Sequence, residues 1–518
     1  VSQSDQLVRD EPVLVSFWLA SSNPGLLEEA DRVAALPIRD RTYLTRGQLK
    51  AKYRPAPQAI EVLRSFAASY DLESSGLTEG ETLVHLMVSP SRVKESFGVD
   101  LHGYPTPDGS LIRGIFGLNH RPQSPGCPAS DRYALNKTLL SHGPPFPNQL
   151  HDQAHDQSND QSNDQRPCVG ILTFGGNLNG QNLGAVLKTQ AASNVTVVTP
   201  IDFKATAASS FYQEASLDVQ LIAQSAPNAK QVLYLLPNTE QGWVTGLHAT
   251  LSDTINAPAV LSISAGWPEK SGNSSYWSNA TVDAMEDMLA RATLIGMTVC
   301  CASGDDGPAV NDEGPRAYYP ASSRFVLACG GTQIDGREVV WSGPNGASGG
   351  GISDRFPMPD WQSSIEHNVV SSGLNRATDA LKGRLVPDVA ASAVANIEGY
   401  GTVIGTSVAA PAWAGLIAAA NQQLRVHSID KTVGNVTTLF YDQSSGLRDA
   451  CNDISAGNNA FPRGNSAYYS ARDGWDACTG WGSPKAQPLI DKLLQNARPT
   501  RDTYPNQTMI DNRPLSPT

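Results

Sequence analysis

From Cys168 onward, short apolar runs alternate with segments whose apolar residues recur every three or four positions. The runs are Val169–Phe174, Val195–Thr199, Val232–Leu236, Ala259–Ser264 and Met297–Ser303, each bounded by turn-forming residues. Helical spacing falls near Asn182–Ala192 and over Ser210–Gln224. Apolar runs of strand length predict strands buried on both faces, and helices between them predict parallel pairing. The expected fold class is therefore α/β, a mostly parallel sheet flanked by helices. From about Pro12 to Pro122 the pattern differs. Pro12–Ala20 and Thr82–Val88 read as strands, Leu26–Ala35 and Pro57–Tyr70 as helices, and Ser89–Phe97 as a helix opened by a capping serine. This part reads as a compact α+β unit without a catalytic constellation.

Between the two parts the sequence changes character. Pro and Gly come first, then an imperfect Asp-Gln repeat over His151–Gln165 whose one apolar residue is an Ala. Such a stretch cannot pack, so it is expected to be a solvated linker open to proteolysis. The 518 residues suffice for more than one domain, and the net charge of −12 argues against nucleic acid and anionic membrane surfaces as partners. The uncharged run Gly399–Gln422 carries Thr, Ser, Asn, Pro and several Gly, so it reads as a buried segment and no membrane span is expected. The chain opens at Val1 with no apolar signal core, so an earlier segment is expected to have been removed or omitted. Sequons at Asn136, Asn194, Asn273, Asn279, Asn435 and Asn506 suit a glycoprotein on a secretory route. The seven cysteines contain no Cys-X-X-Cys pair, and the odd number leaves one thiol unpaired or intermolecular.

The chemistry gathers around Gly405-Thr-Ser407, followed by Ala-Pro411 and an Ala-rich helix. Ser407 then stands at a helix N-terminus, where developing negative charge is favoured. This is a nucleophile signature of subtilisin-like peptidases; a buried Ala-rich helix is the plain alternative. A serine needs a base, yet after residue 166 the histidines are His248, His367 and His427, none in a Gly-rich strand-to-helix turn. Helix Ser210–Gln224 instead places Glu214 and Asp218 on one stripe with Phe211, Leu221 and Ile222. Adjacent buried carboxyls share protons and can act as a base; the alternative is a rotated helix with both acids in solvent. Asp305, beyond the strand Thr298–Ser303, is either a loop cap or a protonated acid that donates to an oxyanion.

Glu214-Ala-Ser-Leu-Asp218, Ala302-Ser-Gly-Asp305 and Gly405-Thr-Ser407 resemble, in that order, the sedolisins or serine-carboxyl peptidases, the tripeptidyl-peptidase branch especially. Supporting stretches are Ser262–Trp267, Gly330–Thr332, Ser348–Ser353 and Val386–Ala390. The resemblance implies Ser407 as nucleophile, Glu214 as base, Asp218 as its partner and Asp305 as oxyanion acid. It implies an activation prosegment over 1–146 that inhibits its own enzyme, a maturation linker over 147–167, a peptidase domain over 168–496 and a loose tail over 497–518. The expected activity is hydrolysis of peptides in acid with release of tripeptides from free N-termini, outside the cell or in an acidic, lysosome-like compartment. An endopeptidase of the same family and a catalytically silent peptide binder are the alternatives. An esterase is disfavoured because Gly405-Thr-Ser407-Val-Ala409 is not a Gly-X-Ser-X-Gly elbow. Near the end, Asp453 and Asp476 stand in Gly-bearing loops that suit a hard cation, although a plain Asp-capped loop fits the spacing equally. The resemblance implies one calcium ion held by Asp453, Asp476 and the carbonyls of Ile454, Arg472 and Gly474. Cys451 and Cys478 flank these residues, and a disulfide between them is expected in an oxidising compartment.

Overall fold

A computed structural model describes residues 11–98, 111–118 and 166–499, without the short stretches 74–76, 78–79, 177, 179–181, 202–208, 270–275, 309–316, 369–382 and 462–467. The Asp-Gln repeat and nearly all of the tail lie outside the described residues. Three strands of the N-terminal unit, β1 (Val13–Leu19), β2 (Leu83–Val88) and β3 (Ile112–Phe116), form an antiparallel sheet with β1 in the middle. Helices α1 (Leu26–Ala34), α2 (Pro57–Ser69) and α3 (Pro90–Phe97) belong to the same unit. Alternation along β1 gives its sheet two apolar faces: Val15, Phe17 and Leu19 pack with Leu63, Phe66 and Val93 of the unit's own helices, whereas Trp18 joins the core of the larger domain.

The larger domain is built on β4 (Cys168–Phe174), β5 (Val195–Val198), β6 (Lys230–Leu236), β7 (Val260–Ile263), β8 (Thr298–Ala302), β9 (Leu327–Asp335), β10 (Arg337–Val340) and β11 (Val389–Ser392). Their order is β10-β9-β8-β7-β4-β6-β5, with β11 also on β9, and every pairing is parallel except β9 with β10. The predicted apolar runs are thus the parallel strands. β4 lies between two neighbours under two helical layers, which explains its unbroken hydrophobicity. On one face α4 (Ser209–Ser225) packs on α7 (Ala409–Val426); on the other lie α5 (Glu240–Ser252) and α6 (Asn279–Leu294). Among the described residues no helix is long and apolar enough to cross a membrane.

The N-terminal unit docks on α5 and α6. Arg41, 1% exposed, donates to the carbonyls of Val433 (2.8 Å) and Asn435 (2.7 Å), which offsets the burial of its charge. Arg324 pairs with Asp31 through Nε and Nη2 at 2.7 and 3.0 Å. At the far end, Gln241 Nε2 donates to Leu14 O (2.9 Å) and Ser16 Oγ (2.8 Å), and Ser16 Oγ lies 2.7 Å from His85 Nδ1. Beside them His248 Nε2 and Lys50 Nζ meet Glu81 at 3.1 and 2.5 Å.

Three local expectations are corrected. The helix near Asn182–Ala192 is two pieces, Leu183–Leu187 and the 3₁₀ turn Gln190–Asn194. Lys188 breaks it by turning left-handed (φ 53°) with its ammonium 4.7 Å from the Tyr400 ring, and Thr189 caps the new start. Ser89 occupies the N-cap of α3, but its hydroxyl meets Ser91 Oγ (3.2 Å) and caps no backbone N–H. The sequon at Asn435 is 3% exposed, with its side-chain oxygen accepting from Thr437 N–H, so in the folded chain it is closed to a glycan.

Candidate active site

The site collects at the carboxyl ends of β7 and β8, where α/β sheets build their clefts. β7 delivers Ser264. β8 delivers Asp305 through a turn in which Gly304 takes φ 106°, and a Cβ there would stand 2.5 Å from the Tyr318 ring. Ser407, 8% exposed, precedes the first turn of α7. Packing of α7 on α4 brings this serine's backbone toward Asp218. Ser264 Oγ bridges the two: it donates to Asp218 Oδ1 at 2.5 Å and lies 3.4 Å from the Ser407 carbonyl oxygen.

Asp218 is fully buried, so α4 is not rotated to solvent. Burial, and then the neighbouring Glu214 carboxylate, hold the Asp218 carboxyl well above the usual range, against a smaller opposing effect from Ser264. The pair therefore keeps a proton where isolated carboxyls would have lost theirs. A base that shares a proton between two carboxyls would need such a state. On the other side of Ser407, Thr406 N–H and Thr406 Oγ1 each donate to Asp305 Oδ1 at 2.8 Å. A Cβ on Gly405 would lie 2.9 Å from Asp305 Oδ2 and 3.1 Å from Ser407 Oγ. Asp305 and Ser407 thus flank a bare glycine.

The structure therefore brings Asp305 and Ser407 to one turn and links Asp218, beside Glu214, to it through Ser264. The sequence reading assigned nothing to Ser264 or Thr406. The signal for Ser264 was available: it is the polar residue at the carboxyl end of an apolar run that opens the Ser262–Trp267 motif. His248 pairs with Glu81, and His427 Nδ1 lies 2.9 Å from Gln423 O, so neither serves Ser407. The side chain of His367 lies outside the described residues.

Four of the residues named for a metal form two hydrogen-bonded pairs. Gly474 N–H donates to Asp453 Oδ2 at 2.7 Å, and Arg472 N–H to Asp476 Oδ2 at 3.2 Å. Asp476 is 1% exposed, and burial pushes its carboxyl up to about 7 despite N–H donors from Thr479, Cys478 and Arg472. A buried carboxylate among oxygen-bearing loops fits a hard cation. Among the described residues no three His, Cys, Asp or Glu side chains form a metal cluster, so the remaining ligands would be backbone carbonyls. The expected Cys451–Cys478 disulfide is absent: both are buried thiols turned to different carbonyls, Cys451 Sγ to Leu447 (4.0 Å) and Cys478 Sγ to Tyr469 (3.1 Å).

The chain is similar to known proteins along most of its length. The profile of the Subtilase family matches residues 168–482, and that of the Pro-kumamolisin activation domain matches residues 2–114. The chain is 31% identical to kumamolisin of Bacillus sp. (strain MN-32) over 94% of its own length and 93% of that protein. It is 26% identical to sedolisin of Pseudomonas sp. (strain 101), over 94% and 86% respectively. Tripeptidyl-peptidase 1 of Homo sapiens is 29% identical over 54% of this chain and 52% of that protein. Among solved structures, Pseudomonas sedolisin, a serine-carboxyl proteinase complexed with two molecules of pseudo-iodotyrostatin, superposes with a TM-score of 0.52 and 27% identity, covering 64% of this chain and 93% of the other.

Proposed function

The chain belongs to the subtilase family, in its branch of sedolisin- and kumamolisin-type serine-carboxyl peptidases, and from that premise we propose that it acts in acid and releases tripeptides from free N-termini. The observation that carries acid action is the fully buried Asp218 beside Glu214. In the proposed reaction Ser407 Oγ attacks the scissile carbonyl while Glu214 takes the hydroxyl proton, with Asp218 sharing it. The carbonyl π pair moves to oxygen, which accepts a hydrogen bond from a protonated Asp305; such an acid serves only where it stays neutral. Collapse expels the amine with the proton held by Glu214 and leaves an acyl-serine. A water deprotonated by the same carboxylate then hydrolyses the ester and restores Ser407.

Tripeptide release rests on the likeness to tripeptidyl-peptidase 1. The relatives that match along 94% of the chain, kumamolisin and sedolisin, are not tripeptidyl-peptidases by name, and an endopeptidase of the same family is the second reading. Mass spectrometry of a decapeptide with a free N-terminus, incubated with acid-treated protein at about pH 4, separates the two. Successive losses of three residues support the exopeptidase; internal cuts support the endopeptidase. No cleavage after confirmed removal of the N-terminal unit would sink both and leave a silent peptide binder. An acidic lysosome-like or extracellular setting, reached through a secretory route, follows from the same reading.

Calcium belongs to the proposal as well. Asp453, Asp476 and the carbonyls of Ile454, Arg472 and Gly474 would hold it, and its charge would neutralise the two carboxylates and tie the loops together. Chelation with EGTA is expected to lower the melting temperature, with a loss of about 3 kcal/mol if calcium had been at a hundredfold excess over its Kd. An unchanged melting temperature would remove the site.

Acid is also expected to loosen the N-terminal unit. Burial, with a contribution from His248, pushes His85 down to about 4. Ser16 of β1, Gln241 and His248 of α5, Glu81 and Lys50 surround this junction. A depressed histidine disfavours docking between its free value near 6.5 and about 4, because the undocked form takes a proton that the docked form refuses. Glu81, held down to about 2 chiefly by the hydrogen bond from His248, keeps its contribution above the free carboxylate range and loses it as pH falls toward 2. Both signs favour release in acid, His85 first, by at most about 3 kcal/mol across its interval. His85→Gln should therefore retain the unit longer after a jump from pH 7 to pH 4.5, as followed by gel filtration of Ser407→Ala protein whose linker has first been cut at pH 7 by an added protease. Equal release rates would refute the assignment.

A further inference from the structure

We propose that Thr406 is a positioning residue that decides which oxygen of Asp305 carries the proton, by holding Oδ1 as the acceptor and presenting Oδ2 as the acid. The proposal rests on the roles given above to Ser407 and Asp305 and deepens them. Thr406 offers Oδ1 two donors, its N–H and its Oγ1–H, both at 2.8 Å. A backbone N–H donates in every protonation state, so Oδ1 must always keep a lone pair toward it. The hydroxyl is oriented in turn. Gly304 N–H donates to Oγ1 at 3.1 Å and occupies one of its lone pairs, while the competing acceptor, Gly304 O, lies farther away than Oδ1, at 3.1 Å. A proton on Oδ1 would displace the Thr406 hydroxyl hydrogen and weaken the amide bond. A proton on Oδ2 disturbs neither.

The placement of Oδ2 makes that choice productive. It stands with Ser407 Oγ over the bare side of Gly405, where a carbonyl under attack by Oγ would develop its negative charge. The threonine rotamer is held by its methyl group, which packs toward Gly331 of β9; a Cβ on that glycine would lie 3.4 Å from Thr406 Cγ2. Thr406 is 1% exposed, so no water replaces its hydroxyl. The residue between glycine and nucleophile thus links the oxyanion acid to the serine turn and keeps the acid's hydrogen pointed at the reacting oxygen.

Thr406→Val keeps the shape and the N–H but removes the hydroxyl, and Thr406→Ser keeps the hydroxyl and removes the methyl. With a peptide substrate, Thr406→Val is expected to lower kcat by roughly 10–100-fold, as for a misaligned catalytic group, with KM within about threefold. The alkaline limb of its kcat–pH profile should move to higher pH, because losing a donor to Oδ1 disfavours the ionised acid. Thr406→Ser should restore kcat to within about threefold of the parent and return the limb to its place. Unchanged kcat and pH profile in Thr406→Val, with activity lost in Asp305→Asn, would overturn the role of Thr406 alone. A fall in Thr406→Ser as large as in Thr406→Val would also overturn it, by assigning the effect to the methyl. Should Thr406→Val not fold, the Thr406→Ser profile decides. Activity retained in Ser407→Ala would overturn the underlying reading and this proposal with it.

Discussion

Ser407→Ala is expected to lower kcat by roughly 10⁶-fold while leaving the melting temperature within a degree or so of the parent. The activity effect is large because the proposed nucleophile has no substitute: Ser264 is committed to Asp218 at 2.5 Å. The stability effect is small because Ser407 stands outside the regular turns of α7 and removal of one hydroxyl leaves the packing of that helix on α4 intact. Glu214→Gln should fall nearly as far. The double variant should fall no further than the worse single one, since base and nucleophile act as a unit. Additive losses would mean that Glu214 does not serve Ser407. Kinetics on a chromogenic peptide at acid pH, with the N-terminal unit removed by added protease, would measure all three.

Asp388→Asn is expected to cost about 3–5 kcal/mol of stability, the largest such effect at a single position away from the site. Arg384 and Asp388 are both fully buried and joined at 2.7 and 2.8 Å. Tyr441 Oη and Ala328 N–H also donate to the Asp388 carboxylate, each at 2.8 Å. Its backbone continues the pattern, with N–H to Ala328 O and carbonyl to Trp481 N–H. Asp388 therefore ties β9, the entry to β11 and the segment after Asp476 to one carboxylate. An amide in its place leaves the Arg384 guanidinium without a counter-charge, and a buried charge that loses its partner is far costlier than a surface one. Urea denaturation in the Ser407→Ala background, where self-digestion is absent, would measure it. A midpoint within error of the parent would mean that water or another acceptor takes over.

Much of this molecule was legible as local pattern. The apolar runs became the parallel strands, because a strand buried on both faces needs no alternation and shows none. Ser407 was legible as a candidate because a nucleophile at a helix start needs small neighbours, and Gly405, Ala409 and Ala410 are adjacent in the chain. Glu214 and Asp218 were legible as a stripe because four residues make about one helical turn. Asp388 was visible within the Val386–Ala390 motif, but the motif did not show that it meets Arg384, Tyr441 and Ala328 at once.

What remained hidden depends on atoms that meet only after folding. Helical spacing put Asp218 and Glu214 together but left open whether they faced solvent; the packing of α4 under α7 decided that, and burial raised the Asp218 carboxyl. Cys451 and Cys478 flank the same loops in sequence, yet the backbone turns their sulfurs to different carbonyls. Asn435 reads as a sequon, yet it is closed off where Arg41 of the N-terminal unit reaches its carbonyl. Ser264, Thr406 and the His85–Ser16–Gln241 junction belong to the same class. Sequence by itself determined the fold class, the family and the candidate residues for the chemistry, because periodicity and side-chain identity are properties of neighbours along the chain. Only the tertiary structure decided protonation, orientation and docking, because desolvation and hydrogen-bond direction are set by residues hundreds of positions apart.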